Sequence, residues 1–261
     1  MLTDFYGNHL TTNTGLARDS YDIGLRAFLS ANYGAHEAFS QAIEADPNFA
    51  LAYLGLARAF MSSGQIVEAK AVLGKAKNLL AEVTDREKSH FVCCELILSG
   101  EAQKARLAVY NHVSEWPCDA MIAQMCTSVF GLIGFSGEVG RENALLDYTA
   151  KLLPHYGEDW WMMSMHAISL CETGQTLKSM QLMEKALNLN SRNANAAHFF
   201  AHILYEENEV SAGRDYLAAW MPSYDRRSLL HGHLSWHQAL WALHDGDETS
   251  TWEVVDSSVS Q

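Results

Sequence analysis

A spacing of about 34 residues governs the second half of this chain. Met163, Ala167, Leu170, Gly174, Ser179, Met183 and Ala186 are answered in order by Ala197, Ala201, Leu204, Asn208, Gly213, Leu217 and Trp220. In each set the first three residues share one face of a helix and the last three share one face of a second helix. Gly174 or Asn208 supplies the turn between them. Small residues stand where antiparallel helices must approach, and larger ones fill the space beside them. One such hairpin cannot bury its own apolar faces, so a chain that repeats it has to stack neighbouring units.

The same pattern extends in both directions. From Asn48, Tyr53, Leu56, Ala57 and Phe60 form one face, Gly64 the turn, and Ala69, Leu73 and Ala76 the answering face. Ala35, Phe39 and Ala42, ending at Pro47, predict a second helix just before it. Thr84 and Glu87 form a capping-box pair that opens a helix carrying Val92, Cys93 and Leu96, followed by a turn at Gly100 and a partner with Ala105 and Val109. Ala123, Cys126, Thr127 and Phe130 predict a fourth first helix, joined by a glycine-rich turn over 134–140 to a partner over 142–153. That turn lacks the G-x-G-x-x-G order, a preceding strand and a lysine, so it reads as a helix connection and not a phosphate loop. The last first helix carries Ala239 and ends at Gly246. This combination of alanines, large residues and turn glycines resembles the tetratricopeptide repeat. The expected fold is all-α, a right-handed α-solenoid of about seven tetratricopeptide-like hairpins. It divides into an N-terminal segment (1–15), the solenoid (16–247) and a C-terminal tail (248–261). The tail is rich in Ser, Thr and Val where a second helix is due. It is expected to be truncated, or covered by a partner or a second copy in a homo-oligomer; the alternative is a disordered tail over a short capping helix.

Composition narrows the partners. A formal charge of −13 speaks against nucleic acid, whose phosphates call for clustered Lys and Arg. No apolar run is long enough to span a bilayer, and the polar start lacks the basic and apolar regions of a secretory signal. Cys93, Cys94, Cys118, Cys126 and Cys171 form no C-x-x-C pair and mostly sit in apolar helical stretches, as reduced thiols in a cytoplasmic protein would.

Two histidine pairs stand out, His198/His202 and His233/His237. The i, i+4 spacing places both rings of a pair on one helix face. In a stacked helical repeat, the first helix of each hairpin lines a concave surface where ligands bind. The positions between the packing residues there are Trp161, His198, His202, Tyr205, Glu206, His233 and Trp236, with His237 at the margin. The repeat register therefore brings four imidazoles together from neighbouring first helices. Such a set can serve as ordinary recognition side chains, chelate a metal, or supply an acid–base group near neutrality. Phe199 stands where a zinc-protease glutamate would follow the first histidine, which excludes H-E-x-x-H chemistry.

The match sharpens in three segments. Met165, His166, Ala167, Glu172, Thr173 and Gly174 form the first; Ala197, His198, Ala201 and His202 the second; Trp236, His237, Ala239, Leu240, Gly246 and Asp247 the third. In these the chain is similar to the tetratricopeptide repeat protein 38 family. It departs from that family in a shorter C-terminus and in Glu207-Asn208, where the family has a glycine turn. The resemblance implies the helical-repeat fold and no particular reaction. The expected function is a binding or scaffold protein holding a protein, peptide or small molecule in the His/aromatic groove, with no cofactor required. The alternative is a metal-assisted or histidine-dependent enzyme using the same groove.

Overall fold

The computed structural model describes residues 2–259, and among these the fold is all-α, with a lone β-bridge between Thr3 and His9. The residues form two compact units: one holds the chain up to Leu29 and Gly34–Gly157, the other Ser30–Tyr33 and the chain from Glu158. The residues expected as one array, 16–247, are shared between them.

The first unit contains α1 (Gly15–Leu29), α2 (Ala35–Ala45), α3 (Ala50–Ser62), α4 (Ile66–Lys77), α5 (Asp85–Leu98), α6 (Ala102–Glu115), α7 (Ala120–Ala123) and α8 (Arg141–Tyr156). The predicted capping box opens α5: the Thr84 hydroxyl accepts from Glu87 N, and the Glu87 carboxylate accepts from Thr84 N at 3.0 Å. The second carries α9 (Trp160–Glu172), α10 (Thr176–Leu189), α11 (Ala194–Glu206), α12 (Val210–Trp220), α13 (His231–His244) and α14 (Glu248–Val254). Gly64, Gly100, Gly174 and Gly246 turn their hairpins at φ between 75° and 77°, and Asn208 fills the equivalent slot at φ 60°. Asparagine is the side chain that best tolerates this left-handed conformation, so the departure from glycine leaves the turn intact.

One expectation needs correction. The fourth first helix is broken: α7 ends at Ala123, a 3-10 turn covers Gln124–Cys126, and the chain then folds back so that Leu132 N donates to Met125 O at 2.8 Å. Glycines make the reversal possible, since a Cβ on Gly131 would lie 2.8 Å from Met125 O and one on Gly134 would lie 2.1 Å from Val129 O. The stretch after Gly246 is helical, because Asp247 caps α14 by accepting from Ser250 N at 3.0 Å.

In the first unit Phe39 of α2 is fully buried between two glycines. A Cβ at Gly55 of α3 would come within 2.5 Å of its ring, and one at Gly24 of α1 within 2.8 Å. Gly55→Val is therefore expected to destabilise the protein by about 1–3 kcal/mol, since overpacking outweighs the few tenths gained in helix propensity. Gly74→Ala, at a helical position with nothing within 4 Å, is expected to stabilise by up to about 1 kcal/mol. Thermal unfolding of the two variants should move in opposite directions.

A candidate metal and ligand site

The second unit builds its site on two well-anchored helices. Asn193 is fully buried; its side chain caps α11 by accepting from Ala196 N at 3.3 Å and donates to Ser164 Oγ of α9 at 3.3 Å. Ala196, Ala197 and Ala201 are buried, so α11 lies close against its neighbours. Trp241 of α13 seats its indole on Gly213 of α12, where a Cβ would come within 2.8 Å of the ring. Leu234 and Trp241 join Ala194, Ala201 and Leu217 in one core cluster. Ser30–Tyr33 closes this unit: Ala194 N donates to Ser30 O at 2.9 Å, and Tyr224 Oη donates to Ala31 O at 2.6 Å.

On this frame His198 and His202 of α11 meet His233 and His237 of α13. His198 Nε2 lies 2.9 Å from that of His202, 2.9 Å from that of His233 and 3.2 Å from that of His237. The His233 and His237 Nε2 atoms are 3.1 Å apart, and one nitrogen from each of the four rings falls within 4.8 Å of all the others. Hydrogen bonding does not account for this. An imidazole nitrogen carries either one proton or one lone pair, so His198 Nε2 can complete one hydrogen bond, not three. Four nitrogens placed tetrahedrally about 2.0–2.1 Å from a zinc ion stand about 3.3 Å from each other. The four close separations, 2.9–3.2 Å, lie up to a few tenths below that, and the whole set spans no more than 4.8 Å, so modest ring shifts bring it to a tetrahedron.

The electrostatics suit an electron-pair donor set. Burial, reinforced by His202, His233 and His237, pushes His198 down from 6.5 to about 2. Burial, with His202 and His233, pushes His237 to about 4, and burial lowers His202 and His233 as well. All four rings are neutral at neutral pH. Below 6.5 the unfolded chain binds protons that the folded, metal-free chain refuses. The stability these rings contribute is thus complete above 6.5 and is lost as pH falls from there toward the folded values. From pH 6.5 to 5.5 His198 alone is expected to cost about 1 kcal/mol. Thermal unfolding of metal-free protein should show a steeper loss on acidification in the wild type than in His198→Leu.

The other expected groove residues divide. Tyr205 and Trp236 are 58% and 44% exposed, and Trp236 stacks on His233 at 6.1 Å between ring centroids. Glu206 is exposed and lies outside the converging set, though its charge acts on His202. Trp161 is a correction: it is fully buried and does not line an open surface. It stands in the first turn of α9 just after the Asp159 cap, where an aromatic side chain turns into the core. His237, expected at the margin, is within the cluster.

Two polar features escaped the sequence reading. Asp119 gathers Arg86, His90 and His112 in the first unit, and Arg58 stands at a cavity there. The one visible signal for Arg58 was a charge inside the otherwise apolar L-A-R-A-F run.

The comparisons with known proteins agree on fold. The tetratricopeptide repeat family matches residues 34–87. A tetratricopeptide repeat protein from Parabacteroides merdae superposes with TM-score 0.58 at 14% identity, over 94% of this chain and 91% of that one. The anaphase-promoting complex assembly Cut9–Hcn1 gives TM-score 0.60 at 12% identity, over 94% of this chain and 44% of that one. The fold is thus an all-helical repeat architecture, with a tetratricopeptide repeat at residues 34–87. Among the described residues, no helix is long and apolar enough to cross a membrane.

Proposed function

We propose that this chain is a helical-repeat binding protein whose four histidines hold one transition-metal ion, zinc by preference, and whose ligand lies against the face bearing that ion. The observation that carries the reading is the approach of His198 Nε2 to three other imidazole nitrogens at 2.9–3.2 Å. Neutral imidazole suits zinc, copper, nickel or iron, and not magnesium or calcium, which take oxygen. Four protein nitrogens complete a tetrahedral zinc shell, the arrangement of structural sites and not of catalytic ones, which keep a position open. A zinc ion here would staple α11 to α13 and fix the exposed Trp236 and Tyr205 as a recognition surface for a protein, peptide or small-molecule partner. His202, His233 and His237 are only partly buried. That exposure favours a second reading, in which an ion preferring more than four ligands retains water and supplies Lewis-acid chemistry as an enzyme.

The motif residues Ala197, His198, Ala201, His202, Trp236 and His237 further support a place in the tetratricopeptide repeat protein 38 family. Cys93, Cys94, Cys118, Cys126 and Cys171 are free, which supports a reducing, cytoplasmic setting. Elemental analysis of protein purified without chelator or metal-affinity resin tests the metal and separates the two readings. About one equivalent of zinc supports the binding protein, and iron or nickel the enzyme. No metal above about a tenth of an equivalent, even after incubation with zinc and desalting, overturns both.

A further inference from the structure

The first unit holds a cavity of about 580 Å³ with a buried arginine in its wall. Arg58 of α3 is 4% exposed. Its Nη2 donates to Gln124 Oε1 at 2.5 Å, its Nη1 approaches Met61 Sδ at 3.9 Å, and its Nε has no partner. Its guanidinium carbon lies 5.4 Å from the centre of the Phe28 ring. Among the described residues no carboxylate pairs with it. The ionisable groups that act on it are the thiols of Cys94, Cys126 and Cys93, which burial pushes up and keeps protonated. A desolvated guanidinium without a counter-charge is costly, and proteins seldom retain one unless an anion joins it. The neighbouring cation at the mouth, Arg106, is already matched by Glu138 at 2.5 and 2.9 Å.

The remaining lining is apolar or neutral and includes Phe28, Met61, Met125 and Leu132. The break after α7 forms one wall and projects Phe130 and Phe135, 59% and 73% exposed and packed edge to face at 5.5 Å. An apolar chamber with one unmatched charge and an aromatic rim has the anatomy of a small-molecule pocket, and its volume lies in the usual range.

We infer that this cavity binds a small amphipathic carboxylate, with its head on Arg58 and the Gln124 amide and its apolar body against Met61, Met125 and the Phe130–Phe135 rim. Gln124 accepts from Arg58 through its oxygen, which leaves its amide N–H groups to donate to the second carboxylate oxygen. The site lies wholly in the first unit and is independent of the histidine cluster.

Calorimetric titration of the full chain with decanoate, decan-1-ol and decyltrimethylammonium tests it. Decanoate is expected to bind once per chain, about tenfold to a hundredfold more tightly than the alcohol, the usual contribution of a charge-assisted pair; the cation is expected to be weaker still. Arg58→Met is expected to lose that preference while melting no lower than the wild type, because an apolar side chain of similar length replaces an uncompensated charge. Phe135→Ser, at an exposed position, is expected to weaken decanoate several-fold without affecting folding. Equal affinity for decanoate and decan-1-ol in the wild type, no decanoate binding at millimolar concentration, or an undiminished preference in Arg58→Met would each overturn the inference.

Discussion

His198→Ala is expected to strip the protein of its metal. His198 is the hub of the cluster, the one ring whose Nε2 approaches each of the other three. Its removal leaves three nitrogens and a hole at the centre of the set. Loss of a directly bound ligand should cost more than the tenfold to hundredfold that follows from disturbing a ligand's outer partners, so zinc affinity is expected to drop at least about a hundredfold. Two measurements read this. Zinc content after desalting should fall from about one equivalent to under a tenth. The zinc-induced rise in melting temperature should vanish; in the wild type, zinc at a thousand times its Kd adds about 4 kcal/mol. Trp236→Phe supplies the contrast, since the indole stacks on a ligand without donating to the ion, and it should retain the zinc. Full occupancy in His198→Ala would mean that the rings converge for some other reason.

Asp119→Asn should produce the largest loss of stability in the first unit. Asp119 is 3% exposed, and its Oδ2 receives Arg86 Nη1 at 2.6 Å and His90 Nδ1 at 3.0 Å, with His112 Nε2 at 3.2 Å. Burial alone would raise its carboxyl, but the His90 and Arg86 partners reverse this and hold it well below the usual range. Burial lowers His90, so that ring stays neutral and donates Nδ1–H to the ionised carboxylate. Arg86 also donates to His9 O at 2.9 Å, which fastens the N-terminal segment, and Asn8 Nδ2 donates to Cys118 O at 2.9 Å nearby. The asparagine removes the carboxylate that Arg86 contacts directly and leaves it only the more distant Asp4 as counter-charge in the interior. The expected cost is about 3–5 kcal/mol, or roughly 6–20 °C in melting temperature for a body of this size. The Arg86→Met/Asp119→Leu pair should recover much of that loss, because it removes both charges together. A single variant as stable as the wild type would show that the network is neutral in energy.

The hairpins and the histidine cluster could be read from residue spacing because each depends on local periodicity. The i, i+4 interval fixes which face a ring occupies, and the 34-residue register carries that face from one hairpin to the next. His237 was placed less well, since a small rotation of α13 decides whether a flank residue points in or out. Trp161 was misplaced for a related reason: in the first turn of a helix, an aromatic at a groove position and one at a core position have the same spacing. The break after α7 was hidden because Gly131 and Gly134 act through contacts with Met125 and Val129 main chain that only the folded path creates. Asp119 reaches Arg86 and His90, and Arg58 reaches Gln124, across 29 to 66 residues, beyond any local pattern.

Tandem-repeat proteins usually tolerate having one unit exchanged for another, because each sees the same neighbours on either side. The interruption between Ala123 and Arg141 withdraws that freedom at one position. An idealised hairpin grafted there would straighten the path and gain regularity, yet it would carry Gln124, Met125 and Phe130 away from the hollow they enclose. Homologous shuffling and consensus redesign should therefore exact a loss of ligand capacity at this seam even where they spare Arg58 and the four histidines.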